Sequence, residues 1–380
     1  MQDAIPRPGG PSPVPRLIAL DWGTTSLRAY LMTDARTVLD ERAAPKGVMQ
    51  LGGAGAAIAD ACDAAFEDVC GAWLDAWPAL PVVAAGMVGS TQGWREAPYA
   101  DVPIDAARLG ASLQTVRARR GVTVHIVPGL IQRGELANVM RGEETQIVGA
   151  LQAGGVSPGS ALVRWIGLPG THSKWVAVRG SRIERFRTFM TGELYALLCT
   201  HSLLGRTMQP SAGFARDAFE RGVRAARAGH ATGLLATIFG SRARLLAGDL
   251  APDEQADYLS GVLIGHELAG LAAEDGGPGG ATRDDASRPM LIGDAALCMR
   301  YRHAASLFGW PPVDTIDGAA AAGLWVLAER AGLLPAASEE GAPVRLDEPA
   351  AGMGGRHEDR TADRPAVDPV PDHECNISGD

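Results

Sequence analysis

The chain has 380 residues, of which 46% are hydrophobic and 21% are charged, and its formal net charge at pH 7 is −9. This composition is typical of a folded protein, and the length suits two domains of roughly 150 residues each. The acidic balance argues against nucleic acid and anionic membranes as main partners, because either would require a basic surface. The five cysteines are scattered without a C-x-x-C pair, which argues against a zinc site or a disulfide framework and favours a reduced cytoplasm.

The two ends of the chain and one internal segment lack the pattern of packed structure. Residues 1–15 are rich in proline and lack the apolar stretch of a signal peptide, so we expect a disordered leader. Residues 335–380 have few large apolar side chains to offset the entropy of ordering, which predicts a disordered tail. Residues 274–289 interrupt a helical pattern with Gly, Asp and Arg and predict an inserted loop.

Strand and helix patterns alternate in the first half. Residues 17–20 and 27–32 predict two strands around the turn "GTTS". Residues 56–77 have helical spacing and end before Pro78. "PVVAAGMVGS" at 81–90 predicts a strand and a glycine-rich loop, and "VTVHIVPG" at 122–129 predicts another strand. "ELANVMRGEETQIVGALQAG" at 135–154 predicts a helix or a pair of helices.

The second half begins with a similar pattern. "ALVRWIGLPGTHSKWVAV" at 161–178 predicts strand, turn and strand, and a further strand leads into a helix that begins near Thr191. Helical patterns continue over residues 243–272. "MLIGDAALCMRYRHAASLFGW" at 290–310 predicts strand, glycine turn and helix, and residues 317–334 predict a last apolar helix. This order predicts an α/β architecture with domains at 16–150 and 151–334.

A Gly-Thr-x-Ser turn occurs once in each half. The two turns are Gly23, Thr24, Thr25, Ser26 and Gly170, Thr171, His172, Ser173. The backbone N–H groups and hydroxyls of such turns bind anions, and glycine permits close approach. Two unrelated hairpins are the alternative, since Gly and Thr are ordinary turn residues. Repetition at one domain length favours a pair of turns that clamps a polyphosphate.

The two turns differ in their charged neighbours. Asp21 precedes the first turn at a strand end, where a single carboxylate suffices for a hydrated Mg²⁺ beside phosphates. The second turn has Leu168 at that place and carries Lys174, one of two lysines in the chain. Its ammonium suits a phosphate or a substrate carboxylate, and a solvated surface lysine is the alternative. His172 either donates to a phosphate oxygen or completes the turn.

Several motifs carry a family resemblance. "LDWGTTSLRAYL" and "LPGTHSKW" resemble the first and second phosphate motifs of the actin, Hsp70 and sugar-kinase superfamily. With "GMVGSTQGWREAPY", "NVMRGEETQ" and "MTGEL", the chain resembles the 2-dehydro-3-deoxygalactonokinase family over about residues 16–333. The resemblance implies two ribonuclease-H-like domains with an interdomain cleft. It also implies transfer of the ATP γ-phosphate to the 6-hydroxyl of 2-dehydro-3-deoxygalactonate.

The resemblance assigns roles to three residues. Glu143 matches the position of the catalytic base in related kinases, and Glu144 is its reserve. The alternative is that both glutamates only favour a helix N-terminus through the macrodipole. Gly293 matches the adenosine motif, but Asp294 follows it where the family has a small or hydroxylated residue. We expect Asp294 either to cap the next helix or to contact ribose.

The loop after the strand at 81–86 is the predicted substrate site. Loops at strand ends carry ligand contacts, and a hydroxylated acid needs donors and an aromatic wall, here Ser90, Gln92, Trp94 and Tyr99. A surface loop with Trp94 packed against its own domain is the alternative. The candidates for the substrate carboxylate are Arg95, Arg133, Arg141 and Lys174, which the sequence does not rank.

The sequence excludes some functions and leaves others open. A P-loop kinase is excluded because G-x-x-x-x-G-K-[ST] does not occur. The longest apolar stretch contains Glu329 and Arg330, which argues against a membrane span. The alternatives are a kinase of the same fold that acts on another sugar or sugar acid, and an actin- or Hsp70-like ATPase. The epimer preference and the oligomeric state, including a homodimer, stay open.

Overall fold

The computed structural model describes residues 13–35, 37–53, 55–154, 161–274, 277–278 and 288–334. All of these belong to one compact unit that extends to residue 336. The predicted tail, most of the predicted leader and most of the predicted loop at 274–289 lie outside the described residues. The limits predicted for two domains, 16–150 and 151–334, stay a prediction.

The first sheet is built from the first half of the chain. Its strands in spatial order are β3 (Val38–Ala44), β2 (Leu27–Met32), β1 (Leu17–Trp22), β4 (Val82–Gly86), β8 (Thr123–Ile126) and β7 (Gln114–Arg117). The strands β1, β2 and β3 pair antiparallel, whereas β4 is parallel to β1 and β8 is parallel to β4. The strands predicted at 17–20, 27–32, 81–86 and 122–129 are thereby confirmed.

The second sheet repeats this topology. Its strands in spatial order are β15 (Asp314–Thr315), β14 (Met290–Leu291), β11 (Val163–Leu168), β12 (Ser173–Arg179), β13 (Arg182–Phe189) and β6 (Ile104–Asp105). The strands β11, β12 and β13 pair antiparallel, and β14 and β15 extend the sheet in parallel. Each half therefore has three antiparallel strands followed by two parallel ones. The strand β6 comes from the first half of the chain and pairs with β13.

A small third sheet corrects one prediction. It consists of β5 (Ala100–Asp101), β9 (Leu130–Gln132) and β10 (Asn138–Met140). The prediction that residues 135–154 are wholly helical was wrong, because residues 138–140 pair antiparallel with β9. The Asn138 side chain also accepts a hydrogen bond from the backbone N–H of Thr188 at 3.0 Å. These distant partners override the local helical pattern.

The helices cover the outer faces of both large sheets and the space between them. Their bounds are α1 (Val48–Leu51), α2 (Ala56–Ala76), α3 (Ala106–Gly110), α4 (Glu143–Ala153), α5 (Thr191–His201), α6 (Arg216–Ala228), α7 (Leu234–Ile238), α8 (Gly240–Ala247), α9 (Gln255–Ala272), α10 (Ala295–Leu307) and α11 (Ala319–Arg330). Short 3₁₀ turns occur at Met87–Gly89, Gly205–Thr207 and His230–Thr232. The helices predicted at 56–77, near Thr191, and after Gly293 are confirmed.

Alternation along the strands divides the core into three main layers. In β1, Ile18 and Leu20 pack towards α2 with Phe66, whereas Leu17 and Ala19 face the opposite side. That opposite side forms a central core with α4, α11 and residues of the second sheet. A third cluster joins the outer face of the second sheet to α6, α9 and α10. The helices α4 and α11 thus lie in the core that both sheets share.

The helices α4 and α11 cross in direct backbone contact. A Cβ atom added at Gly149 of α4 would lie 1.9 Å from the Ala319 carbonyl oxygen, and one added at Gly323 of α11 would lie 1.8 Å from the Thr145 carbonyl oxygen. Both distances are far below van der Waals contact, so this crossing requires glycine on each helix. The crossing fixes α4, whose first residue is the predicted base Glu143.

We expect Gly149→Ala to destabilise the protein by about 1–3 kcal/mol, because the helices must separate to admit the methyl group. Urea unfolding of the variant and the natural protein measures the change. Gly270→Ala in α9 is the matched control, because its nearest contact would be Phe189 Cε1 at 3.7 Å. The control should be neutral or slightly stabilising, since alanine favours the helix. Equal stability of the two variants would contradict the crossing.

Candidate active site

The first turn is held by a helix start. The backbone N–H of Gly23 donates to the Ser26 carbonyl at 3.0 Å, which closes the turn between β1 and β2. The Gly23 and Thr24 carbonyls accept hydrogen bonds from the N–H groups of Val48 and Met49 in α1, each at 3.0 Å. A Cβ at Gly47 would lie 2.3 Å from the backbone of Thr25, so this residue must be glycine. The turn is thus bonded to α1 through its carbonyls, while Thr24 and Thr25 are exposed and accessible to a ligand.

The second turn is held in the same way. The Thr171 carbonyl accepts from the Glu193 N–H of α5 at 3.0 Å, and a Cβ at Gly192 would lie 2.4 Å from the Gly170 carbonyl oxygen. His172 Nε2 lies 2.5 Å from a Glu193 carboxylate oxygen. The "MTGEL" segment therefore packs against this turn. Its contacts occupy His172, while Thr171 is exposed.

Glu143 and Lys174 bring the two halves of the chain together. Lys174 Nζ lies 3.4 Å from Glu143 Oε1 and donates to the His172 carbonyl at 3.2 Å. The Lys174 side chain is only 6% exposed, whereas Glu143 is 27% exposed. The alternative of a solvated surface lysine is therefore wrong. Glu143 Oε2 also accepts a hydrogen bond from the backbone N–H of Arg141 at 3.0 Å.

Glu144 differs sharply from its neighbour. It is 0% exposed, and both of its carboxylate oxygens accept from the Gly142 N–H, at 2.9 and 2.7 Å. Burial, together with the charge of Glu143, raises the pKa of Glu144 to about 8, while the Gly142 N–H and Arg141 oppose this shift. Glu143 is thus the glutamate of this pair that a substrate can reach.

Asp21 lies at the end of β1 and lines a cavity of about 850 Å³. Burial raises the pKa of Asp21, Arg28 lowers it, and the negative charge of Glu143 raises it. The two carboxylates are therefore close enough for their charges to interact. Gly293 lines the same cavity, together with Gln146 of α4.

The prediction for Asp294 is confirmed in its capping form. Its side chain accepts from the Leu297 N–H at 2.9 Å and caps the N-terminus of α10. Gly293 has φ 152°, a conformation that favours glycine. Gly170, by contrast, lines a separate cavity of about 180 Å³ with Leu297 and Tyr301. The predicted nucleotide contacts are therefore divided between two cavities.

Arg141 connects the predicted substrate loop to the base of α4. Its guanidinium lies 4.4 Å from the Tyr99 ring centroid, and Nη2 donates to the Ala97 carbonyl at 2.9 Å. Its Nε and Nη1 atoms are buried and have no hydrogen-bond partner within the described residues. Gly89 leaves room for this side chain, since a Cβ there would lie 3.0 Å from Nη1.

The other candidates for the substrate carboxylate are engaged or remote. Arg133 is 71% exposed and pairs with Asp101 at 2.7 Å. Arg95 is exposed, and it lines a shallow pocket with Trp94. The Ser90 hydroxyl accepts from the Gln92 N–H at 3.3 Å, which shapes the loop. Among the four cations, Arg141 alone has two buried donors without a partner in the described chain.

Trp94 requires a correction. It was expected to form the aromatic wall of the substrate site, but it is 8% exposed and belongs to the core between the first sheet and α2. Its ring packs at 5.9 Å from Trp22 and at 5.5 Å from Phe66. The alternative, in which Trp94 packs against its own domain, was right, because burying a large apolar ring is more favourable than exposing it to water.

The sequence reasoning missed the residues that support the two turns. Gly47 and Gly192 lie against the two turns. In the sequence, Gly47 is marked only as a glycine before a short helical pattern, and Gly192 only by its place in "MTGEL". Glu267 on α9 was also missed; it is buried and accepts hydrogen bonds from three side chains. A glutamate inside a helical pattern carries no sign of such burial.

Two kinds of feature are absent from the described residues. No group of three or more His, Cys, Asp or Glu side chains is arranged to hold a metal ion. No described helix combines the length and the apolarity that crossing a membrane would require.

The duplicated sheet topology, the turn after the first strand of each sheet and the two crossing helices define a protein of the actin, Hsp70 and sugar-kinase fold, with two ribonuclease-H-like halves. Residues 21–327 match the family model described as 2-keto-3-deoxy-galactonokinase. The chain belongs to this family.

Individual relatives agree with this assignment. The chain is 37% identical over 298 residues to 2-dehydro-3-deoxygalactonokinase from Escherichia coli (strain K12), which covers 77% of this chain and 90% of that protein. A crystal structure of a 2-dehydro-3-deoxygalactonokinase candidate from Sinorhizobium meliloti superposes with a TM-score of 0.68 at 32% identity. It covers 82% of this chain and 98% of that one. The predicted family and fold are confirmed.

We expect the stability of the protein to depend on the protonation of Glu144. The pKa of Glu144 is about 8 in the folded protein, above the ordinary value of 4.5. Its contribution to the free energy of unfolding is therefore full below the ordinary value of 4.5 and is lost as the pH rises to about 8. In Glu144→Gln this dependence should disappear. Urea unfolding of both proteins at about pH 5 and about pH 8 measures the difference.

The difference in pH dependence between the natural protein and Glu144→Gln reports on Glu144, because both proteins contain every other titrating group. Glu135→Gln, on an exposed loop, should keep the natural response. If Glu144→Gln lost as much stability as the natural protein between the two pH values, Glu144 would not be the titrating group.

Proposed function

We propose that this chain transfers the γ-phosphate of ATP to the 6-hydroxyl of 2-dehydro-3-deoxygalactonate. The observation that carries the proposal is the contact of Glu143 with Lys174 at 3.4 Å, beside the second turn. It places a half-exposed carboxylate and a cation from opposite halves of the chain at one point. Phosphoryl transfer needs this kind of positioning and charge more than covalent chemistry.

Glu143 is the proposed base. A carboxylate beside the attacking hydroxyl accepts its proton as the bond to phosphorus forms. The Arg141 N–H and Lys174 hold the two oxygens of Glu143 at 3.0 and 3.4 Å, which orients the carboxylate. Lys174 also supplies positive charge next to the second turn, where the transferred phosphoryl group would pass. Glu144 is excluded from this step by its complete burial.

The two turns are the proposed phosphate clamp. The exposed Thr24 and Thr25 on one side and Thr171 on the other present backbone N–H groups and hydroxyls. Gly23 and Ser26 close the first turn, and Gly170 and His172 shape the second. The cavity beside Gly170 is lined by Tyr195, Leu263, Ile264 and Leu297 and offers an apolar surface to the base of the nucleotide. Gly293 lets the backbone approach the nucleotide from the larger cavity.

Asp21 is the proposed contact to Mg²⁺. Its half-buried carboxylate lines the larger cavity near Glu143, and burial raises its pKa. A single carboxylate with water and phosphate oxygens suits Mg²⁺, and this agrees with the lack of a denser acidic cluster in the described residues. When bound, the ion would neutralise phosphate charge. Asp21 fits this role by its place at the end of β1.

Arg141 is the proposed partner of the sugar-acid carboxylate. A guanidinium forms strong, charge-assisted hydrogen bonds with a carboxylate, and Arg141 has two buried donors, Nε and Nη1, without a partner in the described residues. Its contacts with Ala97 and Tyr99 place it beside the substrate loop, two residues from Glu143. The described cysteines are all free thiols, which fits the proposed cytoplasmic location.

The function is tested by the product. With ATP and Mg²⁺, the purified protein should consume ATP only when 2-dehydro-3-deoxygalactonate is present and should form its 6-phosphate, detected by mass spectrometry. Glu143→Gln should lower kcat by about 10²–10⁴-fold and change the KM values little, because it removes the base and keeps the shape.

Glu135→Gln is the control and should keep full turnover, since this residue is exposed and outside the proposed site. Steady ATP hydrolysis that ignores the sugar acid would support the ATPase alternative instead. Normal turnover in Glu143→Gln would move the base to another residue.

The role of Arg141 gives a separate prediction. Arg141→Lys keeps the charge but removes the planar fork, so the KM for the sugar acid should rise about 10–100-fold while ATP affinity stays the same. Steady-state kinetics with each substrate varied measures both values. Arg133→Lys is the matched control, because this exposed arginine pairs with Asp101. A similar rise in both variants, or in neither, would rule out Arg141 as the carboxylate partner.

A further inference from the structure

Glu267 is a buried carboxylate that the proposed reaction does not use. It lies on α9, is 2% exposed, and contacts residues from three other elements. Trp175 Nε1 of β12 donates to Oε1 at 2.6 Å, and the Tyr301 hydroxyl of α10 donates to Oε2 at 2.8 Å. The Thr191 hydroxyl, at the first position of α5, also donates to Oε2.

A chain of hydrogen bonds connects this carboxylate to the second turn. The Tyr301 hydroxyl lies 2.9 Å from Ser173 Oγ, and Ser173 Oγ accepts from the Gly170 N–H at 3.4 Å. Tyr301 and Ser173 are both buried. The chain therefore runs from the partly exposed Gly170 through the buried Ser173 and Tyr301 to Glu267.

The chemistry of a carboxylate sets the direction of this chain. An ionised carboxylate only accepts, so Tyr301 must donate to Glu267, and Ser173 must then donate to Tyr301. A hydroxyl that donates becomes a better acceptor, which strengthens the bond from the Gly170 N–H. Ser173 is thus held as the acceptor that closes the turn. Its weaker alternative, donation to the Gly170 carbonyl, spans 3.5 Å.

We propose that Glu267 is a positioning residue that directs this hydrogen-bond chain and thereby holds the second turn and the start of α5 in the form that binds the nucleotide. The inference rests on the proposed role of the second turn in phosphate binding. Thr191 gives it a second route, because this residue begins the helix whose Gly192 and Glu193 pack against the turn. Glu267 itself touches no substrate.

Glu267→Gln is a sharp probe, because the structure dictates how the amide must lie. Trp175 Nε1 only donates, so the amide oxygen must take the place of Oε1. The NH₂ group then faces Tyr301 and Thr191 and donates to them, which reverses the chain. Ser173 then accepts a hydrogen bond from Tyr301 and donates its own proton to the Gly170 carbonyl. The variant keeps the shape of the side chain and changes the direction of the hydrogen bonds.

The measurement is the Kd for ATP, by calorimetry without sugar acid. Burial raises the pKa of Glu267 to about 7, and hydrogen bonding by Thr191, Trp175, Tyr301 and Ser173 opposes this, so at about pH 8 the carboxylate is mostly ionised. Glu267→Gln should weaken ATP binding about 3–10-fold. Its KM for the sugar acid should stay within about twofold of the natural value.

Tyr301→Phe removes the hydroxyl that links Glu267 to Ser173 and should weaken ATP binding to a similar degree. The double variant should bind ATP no more weakly than the weaker single variant, because both act on one chain. Should Glu267→Gln fail to fold, Ser173→Ala and Tyr301→Phe decide the question as a pair, because Tyr301 lines the proposed nucleotide cavity and its variant alone does not separate the chain from the cavity. The effects of the pair should not add if both residues act on one chain, and additive weakening would overturn the proposal.

Gln255→Leu is the matched control. Gln255 is 0% exposed on the same helix and accepts from the Thr207 hydroxyl at 2.9 Å, away from the turn. It should lower the urea midpoint and leave the Kd for ATP unchanged. An unchanged Kd in Glu267→Gln, or an equal weakening in Gln255→Leu, would overturn the proposal. A natural protein that binds ATP but phosphorylates no sugar acid would refute the proposed function and leave this comparison valid.

Discussion

The close crossing of α4 and α11 is the constraint on which the site depends. At Gly149 and Gly323 the two backbones touch, and no other side chain fits there. This contact holds α4 in the core shared by both sheets, with its N-terminus against the end of β4, where a Cβ at Gly142 would lie 3.3 Å from Gly86. Glu143 begins this helix, so the crossing decides where the proposed base lies.

The two halves share a topology but differ in charge. Each sheet has three antiparallel strands, a turn after the first of them, and a helix start that binds the carbonyls of that turn. The charged residue beside the turn is Asp21 in the first half and Lys174 in the second half. The duplicated scaffold therefore places a carboxylate and an ammonium group near Glu143. The negative charge suits a metal ion, and the positive charge suits phosphate or a carboxylate.

Burial separates side chains that the sequence presents as equivalent. Glu143 and Glu144 are adjacent, yet one is partly exposed and paired with Lys174, while the other is fully enclosed by α4 and its preceding turn. Among the cationic candidates, Arg133 is satisfied at the surface, whereas Arg141 has buried donors without a described partner. Trp94 shows the same effect for an aromatic residue, since its ring belongs to the core and not to the substrate wall.

Local patterns in the sequence were sufficient for the strands around both turns, the helix at 56–76, the cap by Asp294 and the family motifs, because each depends on neighbours within a few residues. Only the tertiary structure decided that residues 138–140 form a strand, that Lys174 meets Glu143, and that Glu267 lies beneath the second turn. Lys174 and Glu267 depend on partners that are distant in the chain, and the strand at 138–140 pairs with the nearby β9 but is also joined to Thr188 of the second half. Their energies come from burial and pairing across elements, which no local pattern records.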